Sequence, residues 1–317
     1  MKALVTGGSG HVASALLRSM AGDSGWQLRA AVRAVPPLSK TAWEYVQVGD
    51  LSAATASVRG IASGCEVVVH TAARVHAMDE KSLDFEICRR TNVDGTLRIA
   101  REAAQSGVRR FVFISTVKVN GERTEAGQAF AEDDVPNPHG PYATSKWEAE
   151  CALQQLCADT GMEYVIIRPP LVYGPGMRAN FHALARAVRR GLPLPLGAVR
   201  NLRSFVALDN LVDFIRVCMD HPAVPNGTFL VSDGHDISTP ELVRSMAAAL
   251  GRRAQLLSVP GWVLQAMGFL AGRQTAIQRL TQNLQVDIGK ARRVLGWQPP
   301  VTVEAALQRT MLDLRDS

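Results

Sequence analysis

The chain opens with a short apolar strand that runs into glycines and then into a helix: Lys2-Ala3-Leu4-Val5-Thr6-Gly7-Gly8-Ser9-Gly10-His11-Val12-Ala13. Val12, Leu16 and Met20 recur at four-residue spacing, the mark of one helix face. A strand, a glycine turn and a helix in that order restrict the fold more than any other feature. Gly7 can take the tight turn, Gly10 lets backbone approach a pyrophosphate at the helix N-terminus, and Ala13 is small enough for close strand–helix packing. A glycine loop alone is weak evidence, and its context supplies the rest. Residues 66–69, 110–115 and 163–168 are continuous apolar runs of the kind buried on both faces of a parallel sheet. Helical stretches separate them, among them 96–105 ended by Gly107 and 142–159 ended by Gly161. The fold class is therefore α/β, a Rossmann-type doubly wound parallel sheet over residues 1–170, with 207–232 returning to it. After Pro169-Pro170 the composition shifts to Gly and Pro, and 171–317 reads as a smaller C-terminal substrate-binding lobe.

Ligands of such sheets sit beyond the carboxyl ends of the strands. His11 and Val12 open the first helix there, and Thr71, Ala72 and Ala73 follow the fourth strand with side chains small enough for a cofactor to lie on backbone. Asp50 and Leu51, after the third strand, are placed for the adenine edge. The second strand ends in Arg33 with no Asp or Glu, which leans the cofactor towards NADP(H) over NAD(H), because a basic residue accommodates the 2′-phosphate.

Tyr142 and Lys146 carry the chemistry. Four residues apart on a helix, they share a face. Free tyrosine ionises near pH ~10, and a fixed cation beside it brings the phenol towards a useful range for acid–base work.

Bulk properties narrow the class. The 317 residues are 47% hydrophobic and 20% charged, the balance of an ordinary globular protein with ample core. Cys65, Cys88, Cys151, Cys157 and Cys218 form no Cys-x-x-Cys pair, so reduced thiols in a cytoplasm are expected, and neither a disulfide framework nor a metal site. No apolar run approaches the roughly 18 residues of a membrane span, so no integral membrane segment is expected. Residues 259–271 are apolar enough for a membrane-surface helix, although a substrate-lobe helix is the preferred reading. The net charge of +6 fits an anionic small-molecule substrate, and no nucleic-acid motif accompanies it.

These residues together resemble the extended short-chain dehydrogenase/reductase family, of the nucleotide-sugar epimerase/dehydratase type. The likeness runs through Thr6 to Gly10, Gly49-Asp50-Leu51, Asn92-Val93-Asp94-Gly95-Thr96, Ser115-Thr116 before Gly121, Tyr142 to Lys146, Arg168-Pro169, Val172 to Pro175 and Asp287 to Trp297. It implies that Tyr142 is the acid/base, that Lys146 holds the nicotinamide ribose and lowers the phenol pKa, and that Thr116 bonds the substrate oxygen with Ser115 as the fallback. Asn92 and Pro169 join the cofactor contacts. The second lobe would bind a UDP-sugar, with Asn180 at the diphosphate, Leu194 and Leu196 at the uracil, and Arg203 as a bidentate diphosphate clamp. Arg74, His76 and Lys118 would flank the sugar. A homodimer through helices near 95–106 and 143–157 is also implied.

Departures from the family pattern narrow the reaction. The 4,6-dehydratases carry Asp-Glu directly after the catalytic Thr, and Val117-Lys118 stands there instead. The remaining choices are a UDP-4-keto-6-deoxy-N-acetylhexosamine 4-reductase and a UDP-glucose (or UDP-N-acetylglucosamine) 4-epimerase with tightly held NAD. Likeness to O-antigen-cluster proteins of lipopolysaccharide synthesis, Asn120 in place of the usual epimerase Tyr, and Arg33 favour the reductase. A non-catalytic dinucleotide sensor is the third possibility, against which the retention of Tyr142 and Lys146 counts.

Overall fold

Strand β1 (Lys2–Thr6) is buried over its last four residues because it lies in the middle of a sheet. The computed structural model describes residues 1–35, 41–53, 55–74, 84–177, 179–224 and 226–316. Around β1, strands β2 (Gln27–Val32), β3 (Glu44–Gln47), β4 (Val67–His70), β5 (Arg110–Ile114), β6 (Glu163–Arg168) and β9 (Gly227–Leu230) form a seven-stranded parallel sheet in the order β3-β2-β1-β4-β5-β6-β9. Every residue of β4 and β5 is buried, as expected of apolar runs covered on both faces. The order reverses between β1 and β4, and the crevice at such a switch point is where these sheets bind ligands. A separate parallel pair, β7 (Leu171–Tyr173) and β8 (Phe205–Ala207), leads into the second half of the chain.

Helices fill both faces. On one side α1 (His11–Met20) and α6 (Leu208–Asp220) pack their apolar stripes, Leu16, Leu17, Phe214 and Ile215, against the sheet. On the other lie α2 (Phe85–Arg89), a π-helical turn at Arg90–Asp94, α3 (Gly95–Gln105) and α4 (Gly140–Thr160). The sequence reading of a helix at 96–105 did not foresee the π turn, which uses the same residue types. The remaining helices are α5 (Ala179–Arg189), α7 (Thr239–Ala249), α8 (Gly261–Leu270), α9 (Gln274–Thr281), α10 (Gly289–Leu295) and α11 (Val303–Asp316). A third apolar cluster, with Tyr173, Phe181, Phe205, Met246 and Leu307, joins α5, α7, α11 and β8.

One buried ion pair fixes α4 on the sheet. Arg168, the last residue of β6, donates to the Glu150 carboxylate of α4 through Nε at 3.1 and 3.2 Å and through Nη2 at 2.6 Å. Both residues are buried. The third arm of the guanidinium, Nη1, donates to Asn120 Oδ1 at 3.0 Å, and Asn120 Nδ2 donates to Ala131 O at 2.8 Å. Glu150→Ala strands a buried guanidinium and should cost about 3–5 kcal/mol of stability in urea unfolding. Adding Arg168→Met to it should recover part of that loss.

Candidate functional site

The loop after β1 is shaped for a phosphate. Gly7 adopts φ +69°, and a Cβ there would meet the Ala72 backbone at 2.9 Å, so only glycine lets this turn lie against the end of β4. Gly10 caps α1 without a side-chain hydrogen bond, and no acidic residue occupies the first turn. The positive end of the helix thus faces the loop unopposed by any side chain, and these residues fit a dinucleotide pyrophosphate. His11, Val12, Thr71, Ala72 and Ala73 are all partly exposed around it. Thr71 Oγ1 donates to Thr6 O at 2.8 Å, which ties the two strand ends together.

At the outer edge of this region, Arg33 is exposed and Leu51 is buried. Asp50 accepts from the Ser52 amide and hydroxyl, both at 2.8 Å; these bonds hold its carboxyl below the usual range, with the Arg33 and Arg74 charges adding to the effect. Leu51 acts mainly in packing: its side chain lies under Gly95, where a Cβ would approach to 3.1 Å.

Beneath the loop, His70 is fully buried between two threonines. Thr96 Oγ1 gives its single proton to Asn92 O at 2.6 Å, so it must accept from His70 Nε2 at 3.0 Å. His70 Nδ1, 2.8 Å from Thr6 Oγ1, is then the acceptor. Burial, reinforced by the Lys146 charge, pushes the imidazole down to about 3, which keeps it neutral. Asn92, in the π turn, donates to Ser145 Oγ at 2.9 Å and exchanges bonds with the Arg74 backbone at 2.8 and 3.3 Å. Its side chain positions the loop after β4 against α4. A π turn at a functional site is a recurrent device for such re-aiming.

Tyr142, Lys146 and Glu150 occupy successive turns of α4 on one face. Lys146 donates to Ile114 O at 2.7 Å and its ammonium lies 4.2 Å from the Phe113 ring centroid. Burial pushes Lys146 down to about 7, with Glu150 opposing the shift. Tyr142 is partly exposed, and burial of its hydroxyl raises the phenol pKa above the usual value.

Ser115 and Thr116, directly after β5, differ in what their hydroxyls do. Ser115 donates to Glu150 and so completes that carboxylate's partners. Thr116 accepts from the Lys118 amide at 3.3 Å as the N-cap of a 3₁₀ turn at Val117–Val119. That bond leaves the Thr116 proton to be donated elsewhere. Main-chain bonds from Ser115 N to Ile167 O at 2.8 Å and from Val117 N to Pro169 O at 2.9 Å carry the β5–β6 pairing into this segment.

From Asn120 the chain runs to His139, the N-cap of α4, and along it opens a cavity of about 790 Å³. Its walls include Asn120, Glu122, Phe130, His139, Gln278 and Gln282, the last two from α9 and its C-cap. Arg203 Nη1 donates to Gln282 O at 3.0 Å, and burial lowers its pKa to about 10, with Glu122 opposing and Arg279 adding to the shift. Lys118 pairs with Glu122 at 3.0 Å. Two guanidiniums and one carboxylate thus act together at this wall, and α9 was not recognised in the sequence as contributing. The Leu196 side chain lies inside the third apolar cluster, and Leu194 is pinned to it by backbone bonds with Gln255 and Leu257, both at 2.8 Å. Asn180 begins α5, and its side chain, like all of His76, lies outside the described residues. Among the described residues no cluster could hold a metal ion, and no helix is long and apolar enough to cross a membrane.

Comparison with known proteins agrees with this geometry. The chain is 44% identical over 309 residues to the UDP-glucose 4-epimerase of Vibrio cholerae, covering 97% of this chain and 93% of that protein. It is 25% identical to the N-acetyl-alpha-D-glucosaminyl-diphospho-ditrans,octacis-undecaprenol 4-epimerase of Escherichia coli O157:H7, over 84% of this chain and 83% of that one. The fold matches that of the UDP-glucuronic acid 4-epimerase from Bacillus cereus, solved with UDP-glucuronic acid and NAD, at TM-score 0.80 and 20% identity over 100% of this chain and 99% of that one. Residues 3–231 match the model of the NAD dependent epimerase/dehydratase family. With the glycine loop, the switch-point crevice and the Tyr142–Lys146 face already in place, that match makes the chain a member of the NAD dependent epimerase/dehydratase family, within the extended short-chain dehydrogenases/reductases.

Proposed function

We propose that this enzyme is a UDP-hexose 4-epimerase working with tightly held NAD. The observation that carries the reading is the 44% identity to the Vibrio cholerae UDP-glucose 4-epimerase over 97% of the chain. NAD, held when bound by the glycine loop after β1, would supply the acceptor and donor of the carbon-4 hydride. Tyr142, as phenolate, removes the proton of the C4 hydroxyl and returns it to the same oxygen after the 4-keto sugar has turned its other face to the hydride donor. Thr116, whose proton is uncommitted, donates to the C4 oxygen and stabilises the charge that develops there. Lys146 favours the phenolate by its charge. Arg203 and Arg279 present positive charge to the UDP diphosphate. Val117 and Lys118 supply no carboxylate beside Thr116, so water elimination has no acid–base pair there.

The reductase reading, with its place in O-antigen precursor synthesis, is second. It rested on likeness to O-antigen-cluster proteins, on Asn120 and on Arg33. Asn120 is occupied as an acceptor for Arg168 and a donor to Ala131, which accounts for it without reference to the reaction. Arg33 remains, and with it the possibility of NADP(H), but it also acts on the Asp50 carboxylate, a partner that competes with a 2′-phosphate.

The deciding assay supplies the purified protein with UDP-glucose or UDP-N-acetylglucosamine. Conversion to the galacto epimer without net use of added nicotinamide is expected. Stoichiometric NADPH or NADH loss on a UDP-4-keto-6-deoxy-N-acetylhexosamine, with no epimer formed, would overturn the proposal in favour of the reductase. In the same assay Tyr142→Phe should lower turnover by roughly 10²–10⁴-fold with UDP-sugar affinity little changed.

Thr116 and Ser115 separate by different measurements. Thr116→Ala should reduce kcat roughly 10²–10³-fold at unchanged stability, the effect of losing a donor to developing charge. Ser115→Ala should cost about 1.5–3 kcal/mol of stability, because Glu150 loses a donor, while kcat falls far less. The reverse pattern would exchange their roles.

Lys146 gives a pH signature. Its pKa is about 7 in the folded apo protein and 10.5 for the ordinary side chain. Between these values the unfolded chain binds the extra proton, so the Lys146 contribution to stability rises with pH across that window. Urea unfolding of apo protein should show this rise, and Lys146→Met should flatten it.

A further inference from the structure

We infer that the α8–α9 hairpin is a docking element for an anionic phospholipid surface. Helix α8 reads Gly-Trp-Val-Leu-Gln-Ala-Met-Gly-Phe-Leu, with Gln265 as its one polar side chain. A helix apolar all round belongs in a core or in lipid. Here only one stripe is covered. Leu264 is 1% exposed, and Gly268 packs so closely on α9 that a Cβ would meet Ile277 at 2.7 Å. The opposite stripe is open: Trp262 is 74% exposed, Phe269 72% and Leu270 84%, with Met267 beside them at 51%. At 100° per residue Trp262, Ala266, Phe269 and Leu270 fall within one narrow arc, so these side chains form a contiguous ridge. The turn at Gly272 puts Leu270 at the tip of the hairpin. Exposed apolar ridges of this kind mark interaction surfaces, and Trp is favoured at the membrane–water boundary.

Charge selects the occupant. Residues 242–286 contain five arginines and no Asp, Glu or Lys, so this stretch supplies most of the chain's net charge of +6. Arg273, in the hairpin turn, adjoins the ridge and is exposed; Arg200, also exposed, lines a crevice with Val259, Gly261 and Gln265 at the start of α8. Glu122 and Glu125 line the cavity walls at the Gln282 end of α9, where Glu125 shares a crevice with Arg200, whereas Arg273 stands at the other end, beside the tip of the ridge. An apolar ridge rimmed by guanidiniums is complementary to acyl chains beneath anionic headgroups. At 10 residues α8 is far too short to span a bilayer, so it lies on the surface with the ridge inserted. Gln278 and Gln282 at the inner end of the same hairpin line the cavity shared with Asn120 and His139, so docking would bring that cavity close to the membrane. This inference is independent of which carbon-4 reaction the enzyme performs.

The test is co-sedimentation of the full-length protein with vesicles of phosphatidylglycerol and phosphatidylethanolamine, against pure phosphatidylcholine vesicles. Binding to the anionic vesicles at least ten-fold stronger than to the neutral ones is expected. It should fall by at least ten-fold in the Trp262→Glu/Phe269→Glu protein and weaken in Arg273→Glu. Both substitution sites are exposed, so circular dichroism and turnover on a water-soluble UDP-sugar should be unchanged. Failure to sediment with anionic vesicles would overturn the inference, as would equal binding by the doubly substituted protein. Concentration-dependent self-association in sedimentation velocity, lost in that double variant without any vesicle binding by the parent, would assign the ridge to a second copy of the chain instead.

Discussion

The Glu150 carboxylate is the point on which the site's geometry depends. It sits in α4 two turns beyond Tyr142 and receives hydrogen bonds from Arg168 at the end of β6 and from Ser115 just past β5. Burying both charges costs several kcal/mol per ion before their attraction is counted, and a hydrophobic pair of the same volume would hold the layers together as well. What a hydrophobic pair would lack is direction. The fork of Arg168 and the single hydroxyl of Ser115 fix how far α4 slides and turns over two strand ends. That fixes where Tyr142 and Lys146 stand relative to Thr116.

A second consequence is electrostatic. Lys146 is buried against Ile114 O and the Phe113 ring, and His70 is stacked with that same ring at 5.9 Å. A charged imidazole there would repel the ammonium that the phenol needs. The threonine pair around His70 satisfies both ring nitrogens in the neutral form, and burial removes any incentive to bind a second proton. Lys146 is thereby left without a second charge on the imidazole beside it. Its lowered pKa makes it sensitive to any charge that arrives with a ligand. The same burial that depresses Lys146 raises Tyr142, so neither group is poised until the site is filled.

How much of this was legible in the chain depends on the kind of interaction. Strand β6 was read to the residue at 163–168 and β4 to within one, because a run of apolar side chains is the direct trace of burial on two faces. The Tyr142–Lys146 face followed from helical periodicity alone. The choice between Ser115 and Thr116 did not, since it is made by a carboxylate 35 residues away in the chain. Glu150 continues the i, i+4 series from Tyr142 through Lys146, and that spacing was the available clue. Asn92 was assigned to the cofactor from the family resemblance; its hydrogen bond to Ser145, made from a π turn, had no trace in the residue pattern. Epimerase and reductase share Tyr, Thr and Lys, so their difference has no residue signature at the catalytic face.

The basic balance of the chain illustrates how composition misleads until it is placed in space. A net charge of +6 reads naturally as attraction for an anionic substrate. At the cavity, however, Arg203 and Arg279 share their field with Glu122, and Glu122 is already paired with Lys118, so the wall carries less positive charge than its arginines suggest. Exposed Arg273 stands elsewhere, in the turn of the α8–α9 hairpin beside its bare apolar ridge. Natural selection against aggregation removes such ridges from surfaces that stay in water, and surrounding like charge is a second means of keeping them apart. A bare ridge with arginines beside it on a short helix satisfies neither the demands of a core nor those of a free surface. It does satisfy those of an element that leaves water part of the time.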